Sequence, residues 1–197
     1  VTYFMNEDGT FKIQDFRKVV DLVAKSQDME FDISSFPTPE IAINSHKLRS
    51  LGLGYTDLGS LLMFCGLPYD SDEARATAAV ITALMTGQTY LSSTEMAEKL
   101  GPFKEYEKNR DATLRVLRKH REALQRIERT KLPKNLENLL SEAETVWDQV
   151  VERAEKYGVR NAQATVLAPT GTISFQMGAD TFGIEPDTGL VKYKLLA

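Results

Sequence analysis

Between Pro133 and Gly158, the residues Leu136, Leu139, Leu140, Ala143, Val146, Trp147, Val150 and Ala154 recur at the 3.6-residue helical period. This stripe constrains the fold more than any other feature of the chain. A helix that is apolar along one face is stable only when that face is covered, so the chain must lay a second element against it. Gly158 is the natural stop for this helix.

The rest of the first three quarters also reads as helical. Phe16, Val19, Val20, Val23 and Ala24 predict an amphipathic helix over 13–30, after a turn at Asn6-Glu-Asp-Gly9. Thr38, Pro39 and Glu40 supply a hydroxyl cap, a proline at the first helical position and an acid, which start a helix over 39–48. Leu51-Gly-Leu-Gly-Tyr55 suits a short buried strand or turn where backbones approach closely. Asp57 to Phe64 is helical again and is ended by Gly66-Leu-Pro68. Asp70-Ser-Asp-Glu73 is a capping-box start for a long helix with Ala74, Ala78, Ile81 and Met85 on one stripe. Ser92-Ser-Thr-Glu95 repeats that signal and predicts a separate short helix, ended by Gly101-Pro102. From 104 to 131 the chain is charged, with Leu114, Leu117 and Leu124 as an apolar edge, and reads as a surface helix. The last forty residues differ. Ala164-Thr-Val-Leu-Ala168 is β-prone and apolar, as expected of a strand buried on both faces, and Leu190-Val-Lys-Tyr-Lys194 alternates like a second strand.

Composition removes several classes of function. The chain has 197 residues, 42% apolar and 26% charged, close to a soluble globular average. No stretch approaches the ~20 apolar residues of a membrane span, and the expectation is a cytoplasmic protein with no membrane partner. A single cysteine, Cys65, excludes a disulfide framework and cysteine-rich zinc motifs, and His46 and His120 have no metal-ligand spacing. A net charge of −4 argues against nucleic acid as a partner.

The segment richest in chemistry is Pro169, Thr170, Gly171, Thr172, Ile173 and Ser174. It follows a predicted strand and leads into a predicted helix, where free backbone N–H groups favour an anion. Gly171 lets a ligand approach the backbone, and the hydroxyls of Thr170, Thr172 and Ser174 can donate to phosphate oxygens. No lysine follows the glycine, so this is not a Walker loop. A Pro/Gly turn whose hydroxyls merely cap a helix fits the same residues. Elsewhere the blander readings prevail. Leu51-Gly-Leu-Gly is packing rather than a dinucleotide fingerprint, and Arg115 to Arg129 is a solvated helix face. Cys65 is a small buried hydrophobe, and His46 and His120 are structural or surface residues. Glu185, fixed before Pro186, either orders the loop beside the anion site or is a turn acid.

Two long blocks, in order, resemble the catalytic subunit of ribonucleotide reductase. They are Asn44-SHKLRSLGLGYTDLGSLLM-Phe64 with Gly66-LPYDSDEA-Arg75, and Arg160-Asn-Ala-Gln-Ala164 with Thr165-VLAPTGTIS-Phe175, Gly183-Ile-Glu-Pro186 and Val191-Lys-Tyr-Lys194. The Gly-Thr pair of Pro169-Thr-Gly-Thr172 and the run Tyr55-Thr-Asp-Leu58 point to the adenosylcobalamin-dependent form, class II. The resemblance implies an α/β fold, part of a ten-stranded α/β barrel, with 1–197 a single helix-rich segment carrying a few short strands. It implies that Pro169 to Ile173 hold the di- or triphosphate of a ribonucleotide substrate. For the full enzyme it implies adenosylcobalamin as cofactor, a dithiol reductant and compatibility with a homodimer. The Asn-x-Cys-x-Glu motif of the radical cysteine is absent from residues 1–197. With Val1 as the first residue and one cysteine, the expectation is an internal piece that is inactive alone and has no catalytic residue of its own. The rival readings are a stand-alone nucleotide- or anion-binding module and a helical interaction protein.

Overall fold

The computed structural model describes residues 1–189 and Val191. Seven α-helices follow in chain order among them: α1 (Ile13–Ile33), α2 (Pro39–Leu48), α3 (Leu58–Phe64), α4 (Asp72–Leu100), α5 (Tyr106–Ala123), α6 (Glu137–Tyr157) and α7 (Thr172–Gln176). Short 3₁₀ turns fill the connection between α5 and α6.

The α6 stripe finds its cover in α4. Leu139, Leu140, Ala143, Val146, Trp147, Val150 and Ala154 are all buried. Each large apolar side chain among them contributes about 1.5–3 kcal/mol by leaving water. α1 lies on another side of α4, burying Phe16, Val20 and Ala24, and α5 closes over α6 with Leu114 and Leu117. Helix α4 is therefore the axle of the molecule, buried on several sides and not on one stripe. It tolerates that because its polar residues satisfy themselves: the hydroxyls of Thr77, Thr89 and Ser92 donate to the carbonyls of Glu73, Met85 and Gln88. Trp147 packs across Gly87 and donates its indole N–H to the carbonyl of Ala83 at 2.9 Å.

Several helix starts behave as their residues require. The Thr38 hydroxyl accepts from the Ile41 amide, and Ser71 accepts from Ala74. The separate short helix expected from Ser92 does not form, because α4 runs unbroken through Ser92-Ser-Thr-Glu95. The hydroxyls that would cap a new helix are engaged otherwise, Ser92 with Gln88 and Asp21, Thr94 with Leu91 and Ser93 with Asn161.

The expected α/β barrel segment requires correction. Among the described residues there is no β-strand and no sheet, and the fold is helical. The run 164–168 contributes a single parallel bridge, Thr165 to Leu53, supported by three backbone hydrogen bonds between 51–53 and 163–166. A ladder that short, with no further strand beside it, does not extend into a sheet. Nor is the run buried on both faces, since Val166 and Leu167 are exposed. The second expected strand, Leu190 to Lys194, lies outside the described residues apart from Val191.

Candidate functional site

The expected phosphate-binding residues stand where two extended segments meet, 51–57 from before α3 and 164–185 around α7. The approach is close. A Cβ on Gly54 would sit 2.5 Å from the carbonyl oxygen of Val166, so no residue but glycine fits there unless the backbone shifts. Asp57 follows in the left-handed region, at φ 75°, just ahead of α3. That conformation turns its buried carboxylate back onto the second segment, where it accepts the amides of Asp180 and Thr181 at 3.1 Å and the hydroxyl of Thr2. Burial alone would push the Asp57 carboxyl up. The hydrogen bonds from Thr2, Ser60 and Thr181 outweigh burial and hold it below the usual carboxylate range.

Thr56, its neighbour, binds the loop itself. Its hydroxyl lies 2.8 Å from the Thr170 hydroxyl, 3.2 Å from the Ser174 hydroxyl and 3.0 Å from the Thr181 carbonyl, and it accepts the Gly183 amide at 2.9 Å. Ser174 is fully buried and donates to the Thr170 carbonyl at 2.5 Å. The six expected residues are thus divided. Thr170 and Ser174 turn their hydroxyls inward, while Pro169, Gly171, Thr172 and Ile173 are exposed. Space above Gly171 is open, with no atom within 4 Å of an added Cβ. The N–H groups of a helix's first turn have no partner within the helix; in α7 that of Ser174 donates back to the Gly171 carbonyl at 3.2 Å.

Thr170 and Ile173 also line a cleft of about 380 Å³ whose walls include Phe16, Val20, Gly54, Val166 and Ala168. The carbonyl oxygen of the Gln27 side chain, which also borders this cleft, is buried without a hydrogen-bond partner. The arrangement is an exposed turn at the edge of an apolar cleft. Among the described residues, nothing lining the cleft is a thiol or carboxylate that could carry bond-breaking chemistry. Cys65 caps the end of α3 outside it, and burial pushes its thiol up, away from the reactive thiolate. Among the described residues no group of three His, Cys, Asp or Glu is placed to hold a metal ion.

The remaining sequence candidates fall elsewhere. His46 meets the Phe36 ring edge-on, and His120 stacks on Trp147 at 5.3 Å. The basic face of α5 and the following turns is committed to α6: Arg118 pairs with Glu155, Arg121 with Asp148 and Arg129 with Glu144. Glu185 is exposed in a turn, its amide donating to the Phe182 carbonyl.

Sequence reasoning missed the clamp that holds the two segments in register. Arg49, in the left-handed region at the end of α2, forms a paired contact with buried Asp28 of α1 at 2.8 and 2.9 Å and a second with Asp32. Asn161 donates to Asp28 and to the Arg49 carbonyl, and exchanges hydrogen bonds with Ser93 of α4. Burial would lower the Arg49 pKa, but its bonds to Asp28 and Asp32 more than offset that and keep the guanidinium charged. The signal was present in Arg49, just before the glycine run, and in Asn161, just before the extended segment.

A family model described as "Ribonucleotide reductase, barrel domain" matches residues 1–197. The chain is 49% identical over 194 residues to a vitamin B12-dependent ribonucleotide reductase of Rhodopirellula baltica, covering 98% of this chain and 18% of that protein. It is 44% identical over 197 residues to one of Agrobacterium fabrum, covering 94% and 16%. A ribonucleoside-diphosphate reductase large chain of Encephalitozoon cuniculi is 27% identical over 180 residues, covering 91% and 21%. The chain therefore spans about a fifth of the length of these relatives. Since the family model runs from the first residue to the last, this chain belongs to the ribonucleotide reductase barrel-domain family.

Proposed function

We propose that this chain is the part of a vitamin B12-dependent ribonucleotide reductase that holds the phosphate groups of the ribonucleotide substrate. The full enzyme would convert ribonucleotides to deoxyribonucleotides in the cytoplasm, with a dithiol as reductant, and could act as a homodimer. One observation carries the phosphate role: an exposed turn at Gly171, Thr172 and Ile173 with open space above the glycine, at the edge of the apolar cleft. Backbone N–H groups from Gly171 to Ile173 and the Thr172 hydroxyl face the phosphate oxygens. Pro169 sets the turn's entry, and Thr170 and Ser174 hold it from within. Hydrogen bonds to a charged group of this kind contribute about 1.5–3 kcal/mol each.

Adenosylcobalamin supplies radical initiation in this reading. Five clefts bordered by the described residues enclose about 220 to 500 Å³ each, which is small for a corrin ring with its adenosyl and nucleotide arms. These clefts do not fit that group, and no step is assigned through it.

The role is tested by amide hydrogen exchange on the full-length reductase with and without a ribonucleoside di- or triphosphate. The nucleotide should slow exchange at Gly171, Thr172 and Ile173. Unchanged exchange at all three with the protein saturated would contradict the role.

A further inference from the structure

We infer that Thr56 is a positioning residue for the phosphate-binding turn, setting which hydroxyls of that turn a ligand can reach. The inference rests on the phosphate-holding role proposed above. Four polar partners surround one hydroxyl: the Thr170 and Ser174 hydroxyls, the Thr181 carbonyl and the Gly183 amide. A hydroxyl has one proton to give and two lone pairs to receive, so the order of donation is constrained. With the Thr56 proton given to the Thr181 carbonyl, the Thr170 proton goes to Thr56, while the Ser174 hydroxyl donates to Thr170, whose carbonyl and hydroxyl oxygens both lie at 2.5 Å. The Gly183 N–H then reaches both the Thr56 and the Thr170 oxygens, at 2.9 and 2.6 Å.

Two consequences follow for a ligand. The Thr170 proton is spent inward, which leaves the Thr172 hydroxyl and the backbone amides as the outward donors. Thr56 also ties both ends of the turn, Thr170 and Gly183, to one atom on a segment already fixed by Asp57 and by the close approach at Gly54. The donors are thereby held in place before the anion arrives, and the binding energy does not have to order them.

The test uses the full-length reductase with cytidine diphosphate, cytidine triphosphate and cytidine as probes. Thr56→Val keeps the volume and removes the hydroxyl. It should weaken binding of both nucleotides about five- to tenfold while leaving cytidine affinity unchanged. In steady state KM for the reduced nucleotide should rise with kcat nearly constant, and Thr56→Ser should restore both. A merely structural role would instead weaken nucleoside and nucleotide alike. That result, or unchanged nucleotide affinity, would overturn the inference.

Should Thr56→Val fail to fold, Thr170→Val removes the partner hydroxyl and should give the same phosphate-selective loss. Wild-type behaviour there would also overturn it. Gly171→Asp separates the two levels. If Gly171→Asp weakens nucleotide binding and Thr56→Val does not, the positioning role alone fails. If Gly171→Asp has no effect, the phosphate reading fails and takes the positioning role with it.

Discussion

Gly54 and Asp57 set how the two halves of the site meet, one by having no side chain and the other by its charge. An alanine at 54 would drive its methyl group to 2.5 Å from the Val166 carbonyl oxygen. Overpacking against backbone of this kind costs about 1–3 kcal/mol, so Gly54→Ala should lower stability by that amount in urea denaturation. Asp57 makes a pH-dependent contribution. Its carboxyl is held below the ordinary range in the folded protein, so its stabilisation is complete above the unfolded value of about 3.9 and is lost as pH falls through the folded value. Asp57→Asn retains a side chain that accepts the left-handed conformation. The variant should be destabilised at pH 7, and its gap from wild type should close as pH drops towards 3. Urea midpoints measured across that range check this, and a gap independent of pH would contradict it.

The elements were legible to different degrees, for identifiable reasons. The starts of α2 and α4 were readable because Thr38 and Ser71 cap through their own side chains, a local event. The stripe of α6 was readable because its burial is one-sided. Continuity of α4 through Ser92 to Glu95 was not. Whether those hydroxyls cap a helix or bond back to the preceding turn depends on Asn161 and Asp21, which are distant in sequence. The strand expected at 164–168 failed similarly, because apolar, β-prone residues give a strand only beside neighbours that continue the ladder. The packing of α4 is itself testable. A methyl at Gly87 would meet the Trp147 indole at 2.8 Å, so Gly87→Ala should cost about 1–3 kcal/mol. The clamp joining α1, α2 and α4 should respond more strongly. Asp28→Asn leaves buried Arg49 short of its counter-charge and should cost about 3–5 kcal/mol, part of which Arg49→Met in the same chain should recover. Equal losses in the single and double variants would contradict a paired role.

At the scale of the whole molecule, an axle helix, the two helices packed on it and a third that closes over α6 carry two extended segments whose meeting point presents an exposed turn beside an apolar cleft. The turn was legible in the sequence because glycine, proline and hydroxyl residues cluster there. The inward use of Thr170 and Ser174 was not legible, because it is set by Thr56, more than a hundred residues earlier. Under the proposed role, this chain holds substrate and the chemistry lies elsewhere in the reductase. The isolated 197 residues, given adenosylcobalamin and a dithiol, should therefore form no deoxynucleotide, as followed by product chromatography. The phosphate-holding role is tested by equilibrium binding of a ribonucleotide to full-length reductase carrying Gly171→Asp. Gly171 has open space around it, with no atom within 4 Å of an added Cβ, so an introduced side chain meets no packed neighbour. A carboxylate placed where phosphate approaches should weaken binding roughly ten- to a hundredfold. Wild-type affinity in a folded Gly171→Asp enzyme would contradict the phosphate-binding role.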